Sequence, residues 1–346
     1  MKKIFLFVAC ASLMVMGAKA QTAEELFKAG KAEFDKYDKL FAEFFMAHQQ
    51  NPDAPDPTSA QRADALMKGY DFLQKALPLD TVVETNKDGT PKIDKKTGLP
   101  KVKTKFSKDI VPILTSHVND VLNVGNDGLK NNDYDMAFKA FSFFNKLANS
   151  PLAADAKVDN TILGDVAFYE GYSAYQLKDY EGGFKAFKSA IDKGYTENQV
   201  VDFKNSCLAN IIQNFCNDSN FVGADAYIDK IIEAEPNNGF YRDIKGFVIE
   251  QKDGLDAAEP FYKAATELDP TFANGFYDLG RVYYNRADKI IETNQSATNA
   301  QLAPMLKPIY NIALPLFQKA KELDTNGTTQ SQRFIEEIEY KLDLLK

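Results

Sequence analysis

The 346-residue chain sets 41 basic against 49 acidic residues, a formal net charge of −8, and loses three more lysines if its leader is removed. That balance argues against general nucleic-acid binding. Three cysteines and two histidines leave little material for a metal centre.

In chain order, Met1-Lys2-Lys3 is charged, Ile4 to Met16 is apolar, and Gly17-Ala18-Lys19-Ala20 precedes Gln21. These are the parts of a secretory signal peptide over residues 1–20, with cleavage expected after Ala20 and a periplasmic or secreted product. A membrane anchor fits less well, because a span needs about 20 apolar residues. A lipoprotein signal fits worst, because Cys10 lies too early in the apolar run. No second run is long enough to span a bilayer. Cys207 and Cys216, on one helix, would be about 13 Å apart along its axis, too far for a disulfide. They read as small core or groove residues.

Residues 22–46 carry Phe27, Phe34, Leu40, Phe41, Phe44 and Phe45 at helical spacing, with Gly30 as a candidate crossing point. Asn51 to Thr58, with Pro52, Pro55 and Pro57, is a loop. Ala60 to Leu77 is a second helix ended by Pro78, with Gly69, Leu73 and Ala76 as a small-bulky-small series. Residues 21–80 thus form a divergent helical hairpin. From Thr81 to Lys105 the pattern alternates around Asn-Lys-Asp-Gly-Thr-Pro, which predicts a β-hairpin or extended excursion. Its lysines (Lys87, Lys92, Lys95, Lys96, Lys101, Lys103, Lys105) suit either a basic arm for an anionic partner or, more plainly, a solvated loop.

Helix hairpins then recur over residues 106–325, in units at 108–150, 160–195, 197–236, 238–270 and 272–325. The second hairpin of the chain has Gly125, Ala137 and Phe141, with Phe144 at the later small position. The third has Gly171, Gly183, Phe187 and Ala190. The fourth has Ile212 where Gly is expected, then Phe215, Ala224, Ile228 and Pro236. The last two are written most clearly: Gly246, Ala258, Tyr262, Ala265 and Pro270, then Gly280, Ala313, Phe317 and Ala320. Gly246 and Gly280 stand 34 residues apart. An insertion splits the final unit. Its first helix is predicted to reach about Glu292, a loop to cover Thr293 to Ala300, and its second helix to begin near Pro304 and bend at Pro308 and Pro315. The stretch 329–346 is amphipathic, with Phe334, Ile335, Ile338, Leu342 and Leu345 on one stripe, and reads as a capping helix.

A 34-residue period with small residues at fixed offsets resembles the tetratricopeptide repeat, a helix-turn-helix unit, and is similar to secreted members from Bacteroidetes. Asp80-Thr81-Val82 likewise resembles a short O-glycosylation acceptor of Bacteroidetes secreted proteins. The family resemblance implies an all-α, right-handed superhelical solenoid. It makes Gly171, Gly246 and Gly280 the first-helix crossing points. Ala258 and Ala313 become the second-helix ones, and Ala190, Ala265 and Ala320 the sites where the next repeat packs. Tyr262 and Phe317 become the plugs between helices.

The resemblance also implies a concave groove lined by first helices. By register the third unit would contribute Phe168, Tyr172, Tyr175 and Gln176, and the fourth Gln213 and Asn217. The fifth would contribute Asp243, Phe247, Glu250 and Gln251, and the sixth Asn274, Tyr277, Arg281, Tyr284 and Asn285. That set is aromatic and amide, with Arg281 its one cation, so a clamp for a peptide's terminal carboxylate is not expected. Rings with amides suit an extended peptide. The same tyrosines could instead serve only as packing against the next repeat. The expected function is a non-catalytic protein- or peptide-binding scaffold of the bacterial cell envelope, in an envelope complex and without a cofactor. The alternative is a carbohydrate-binding accessory protein. No Gly-x-Ser-x-Gly, phosphate-binding loop or His-Glu-x-x-His is written in the chain, which argues against an enzyme.

Overall fold

The structure is a computed structural model, and it describes residues 21–51, 58–150 and 157–346. The expected leader and most of the Asn51–Thr58 loop lie outside the described residues. Fourteen α-helices account for most of what is described. The chain divides into two compact units, the first ending at Lys204 and the second covering Asn205–Lys346.

The first unit contains α1 (Ala23–Gln50), α2 (Ser59–Leu79), α3 (Ser107–Ser116), α4 (Val118–Lys130), α5 (Tyr134–Ala148), α6 (Leu163–Gln176) and α7 (Tyr180–Asp192). The division falls inside α8 (Gln199–Asn217). The second unit continues with α9 (Phe221–Ala234), α10 (Gly239–Asp253), α11 (Leu255–Leu268), α12 (Ala273–Thr293), α13 (Asn299–Leu323) and α14 (Ser331–Leu344).

One contact repeats through the hairpins. A Cβ placed on Gly125 would lie 2.6 Å from the Phe141 ring, on Gly171 2.8 Å from Phe187, on Gly246 2.6 Å from Tyr262, and on Gly280 3.0 Å from Phe317. The first helix must therefore be bare where the second helix lays its ring. In the opening hairpin the arrangement is doubled, with Gly30 under Leu73 and Gly69 under Phe34. The rings Phe141, Phe187, Tyr262 and Phe317 are buried, as are Ala137, Ala190, Ala258, Ala265, Ala313 and Ala320. In the fourth hairpin Ile212 and Ile228 hold the glycine and ring positions, and both are fully buried. There an aliphatic pair replaces the empty-and-full pair.

The turns repeat too. Asn132, Lys178 and Ser219 each take positive φ, between 55° and 62°. The next residue's amide donates back to the helix just ended: Asp133 to Gly128 O, Asp179 to Ala174 O, and Asn220 to Phe215 O. That is the Schellman closure. The same Asp133, Asp179 and Asn220 side chains then accept from Met136, Gly182 and Gly223, capping the second helix. One three-residue turn closes one helix and opens the next.

Two boundaries differ from expectation. Helix α2 runs through Pro78 to Leu79, because in the last turn the missing N–H removes only one bond. Helix α13 starts at Asn299, ahead of Pro304, because Thr298 and Gln301 form a capping box there.

The excursion leaves after α2 and returns before α3. Val82–Val83 pairs antiparallel with Val102–Lys103. Between them Lys92 N donates to Glu84 O, Lys101 N to Lys92 O, and Glu84 N to Lys101 O, so three short segments each bond the other two. Asp80 is 5% exposed and closes the base. Its carboxylate accepts from the amides of Lys105, Phe106 and Ser107, and from the Ser107 hydroxyl at 2.7 Å. Burial alone would raise its pKa, but the Ser107 hydroxyl and the three amides more than offset that and hold it below the ordinary range. Of the lysines, Lys92 and Lys103 pair with Glu84, and Lys105 with Glu24.

Candidate functional site

In the first unit the α6 face divides. Phe168 is buried, stacked parallel on Tyr195 at 4.5 Å and close to Phe187 and Phe203. It is a core residue, a correction to its expected place in the groove: the return segment after α7 covers it. Tyr172 and Tyr175 remain half-exposed and set edge-on against Phe203, at 5.6 and 5.3 Å. Tyr172 also meets Tyr134, and Tyr175 meets Tyr180. These contacts fix both rings while leaving part of each in solvent. Gln176, beside them, is exposed.

The same unit holds a cleft of about 570 Å³ that the register argument missed. Tyr37, Phe41 and Phe44 of α1 form one wall, and the Arg62 guanidinium lies 4.0 Å over Phe44. Asp120, Asn123 and Asn126 of α4, with Asn131, form the facing wall. Burial lifts the pKa of the Asp120 carboxyl above the ordinary range, and Tyr37 shares the cleft with it. The offset that places Tyr172 one residue after Gly171 places Asn126 one residue after Gly125, so this wall was findable. The α1 wall was not, since nothing in the sequence says which side of α1 remains open.

In the second unit the expected residues meet in two places. The first joins α10 to α12. Arg281 donates to Glu250 and to Asp278, at 2.6 Å each, and the Tyr262 hydroxyl donates to the other Glu250 oxygen at 2.6 Å. Asp243 lies two turns before Glu250 on α10 and is 7% exposed, and its Oδ1 has no hydrogen-bond partner. Burial, and then the nearby Asp278 charge, push its pKa well above the ordinary range. Asp243 is thus a buried floor, a correction to its expected exposure. Arg281 is engaged rather than free. Asp278, absent from the expected set, is as deeply placed as Glu250.

The second place is where α14 lies on α12. Tyr284 is 7% exposed; its hydroxyl donates to Glu337 and accepts from Lys341. Its ring meets Phe334 at 4.9 Å, and Tyr277 meets Phe334 and Phe317 edge-on. Tyr284 therefore serves the capping helix, a third correction. The last hairpin has no successor, and α14 buries the face a successor would have buried. Gln213 and Asn217 are exposed and bond each other at 2.9 Å. Phe247 and Asn285 are half-exposed, and Gln251 and Asn274 exposed.

Among the described residues no group of three metal-ligating side chains converges, and no helix is long and apolar enough to cross a membrane.

The bare glycine under a ring, repeated from hairpin to hairpin, decides the architecture. The fold is that of a tetratricopeptide-repeat protein. No protein-family model matches the chain, and no curated protein does. Solved tetratricopeptide structures do. A TPR repeats protein from Bacteroides fragilis is 20% identical over 64% of this chain and 98% of its own, with a TM-score of 0.35. YrrB, described as a TPR protein with an unusual peptide-binding site, is 16% identical over 64% and 97%, at 0.34. The TPR2AB domain of yeast Sti1, in its pHSP90 complex, is 11% identical over 90% and 99%, at 0.29. At such values the tetratricopeptide reading rests on the chain's own glycine–ring contacts.

Proposed function

We infer that this tetratricopeptide protein is a non-catalytic scaffold of the cell envelope that binds extended polypeptide segments on its first-helix faces. One observation carries the reading. Tyr172 and Tyr175 are held edge-on by Phe203 yet keep part of each ring in solvent, beside the exposed Gln176 amide. Rings fixed before binding lose little entropy on contact, and an adjacent amide can bond a peptide backbone. The leader-like residues 1–20 are the reason to place it in the envelope. Affinity capture from envelope extract tests this. The wild-type chain should retain protein partners that Tyr172→Ala with Tyr175→Ala releases; unchanged capture would count against the reading.

A carbohydrate-binding role is favoured by a different feature, the first-unit cleft, where Phe41 and Tyr37 stack at 5.9 Å facing Asn123 and Asn126. A ring platform opposite amides suits a sugar's apolar face and its hydroxyls. A glycan array separates the two readings: binding there that Phe41→Ala abolishes, with no protein captured, would make the sugar the ligand.

A further inference from the structure

The polar cluster on α10 and α12 is unbalanced. Asp243, Glu250 and Asp278 set three carboxylates against the single guanidinium of Arg281. Neighbouring cations are committed elsewhere. Lys245, on the same helix as Asp243, pairs with Asp225 and Asp229. Arg286 pairs with Asp256 and Glu259. Asp243 alone among the carboxylates of this unit has a buried oxygen without a partner, in a side chain more than nine-tenths buried.

A buried charged oxygen without a partner is costly, and a fold keeps one only in a neutral state or for an incoming group. A metal ion is disfavoured, because these carboxylates do not converge as a three-ligand set. A flexible stem ending in a positive charge can reach a recessed carboxylate and hydrogen-bond it. By register Asp243 and Glu250 lie on the side of α10 that also carries Phe247 and Gln251.

We propose that this cluster receives a lysine or arginine side chain of a bound polypeptide, with Asp243 and Asp278 as the accepting carboxylates. This rests on the scaffold reading and names the partner's chemistry: a segment with a basic residue flanked by few acids. Glu250 and Arg281 position the cluster, since their mutual bond ties Asp278 of α12 to α10. An acidic segment meets uncompensated carboxylates and is rejected.

The test uses the full chain and a synthetic array of 12-residue peptides of varied sequence. Single-lysine, single-arginine and single-glutamate versions of each bound peptide then serve as fluorescent probes. The lysine or arginine probe should bind at least about tenfold tighter than the glutamate probe, a difference of about 1.4 kcal/mol. Asp243→Asn and Asp278→Asn should each erase that preference, while Glu181→Gln in the first unit leaves it intact. Both variants keep side-chain shape, and circular dichroism checks that they fold. Peptide binding with no basic preference, or a preference that survives both variants, overturns the cation site and leaves the scaffold reading standing. An array on which nothing binds overturns both.

Discussion

The two units use the same hairpin and the same turn, and differ in what they do with polar side chains. The first keeps its lysine–carboxylate pairs largely outside, one turn apart, such as Lys68–Asp64 and Lys75–Asp71, and buries the Asp80 carboxylate only against backbone amides and a hydroxyl. The open face of its α6 carries two rings and an amide, Tyr172, Tyr175 and Gln176. The second draws charge inward: Lys245 reaches Asp225 and Asp229, and Arg281 joins α10 to α12 through Glu250 and Asp278. Exposed pairs contribute about 0–1 kcal/mol, whereas removing one partner of a buried set leaves an uncompensated charge. The glycine–ring contact fixes the backbone, so the first-helix face is free to become aromatic in one unit and ionic in the other.

The largest effect that would sharpen this contrast is at the plugs. Phe317→Ala should cost about 3–5 kcal/mol. It should cost more than Phe187→Ala, because Phe317 stacks on Phe334 of the capping helix at 4.6 Å, closer than the 5.5 Å between Phe187 and Phe203. Urea denaturation, with hydrogen exchange reporting on each unit, reads the difference; equal losses would mean that the capping contact adds nothing. Next come the bare positions. Gly246→Ala puts a methyl 2.6 Å from the Tyr262 ring and Gly280→Ala only 3.0 Å from Phe317. Overpacking of this kind costs about 1–3 kcal/mol, so the first variant should melt well below the second.

Acid separates the units in opposite directions. Asp80 has a depressed pKa, so its contribution is present above the ordinary carboxylate range and is lost as pH falls through the folded value. Asp80→Asn should cost about 1–2 kcal/mol at neutral pH, since hydrogen bonds to a charged acceptor are stronger than those to a neutral one, and nothing in strong acid. Asp243 has a raised pKa, facing Asp278, Glu250 and Arg281. Its contribution is complete below the ordinary range and is lost as pH climbs through the folded value. Asp243→Asn should therefore flatten the fall in the second unit's stability as pH rises above the ordinary carboxylate range, which melting at a series of pH values will show. The smallest effects lie in the shared turn. Lys178→Gly and Ser219→Gly relieve a positive φ and should each raise stability by roughly 0.5 kcal/mol, alike in both units. Unlike responses would break the claim that the turns are equivalent.

Much of the backbone was legible in the residues, because a crossing glycine and its ring are local demands of size. Gly171 with Phe187 and Gly246 with Tyr262 meet as their spacing requires. Register also gives the face of a helix, but not what lies against it. Phe168 lies on the expected face of α6 and is buried because Tyr195 folds back over it. Tyr284 lies on the expected face of α12 and is covered by Glu337, Lys341 and Phe334 of α14. Asp243 was expected as one polar groove residue among several; its isolation depends on Arg281 being held by two other carboxylates. The first-unit cleft escaped because it is made by helices distant in sequence, α1 and α4.

Asp80 holds both feet of the excursion at one carboxylate. The polypeptide thus departs from the helices and rejoins them through a fastened gate, and the span beyond it is a cassette. Lengthening such a closed loop costs only the logarithm of its size. Descendants of this sequence can trade the insert for another, and a reporter can be spliced at the Asp88–Gly89 tip, while the hairpins on either side keep their place.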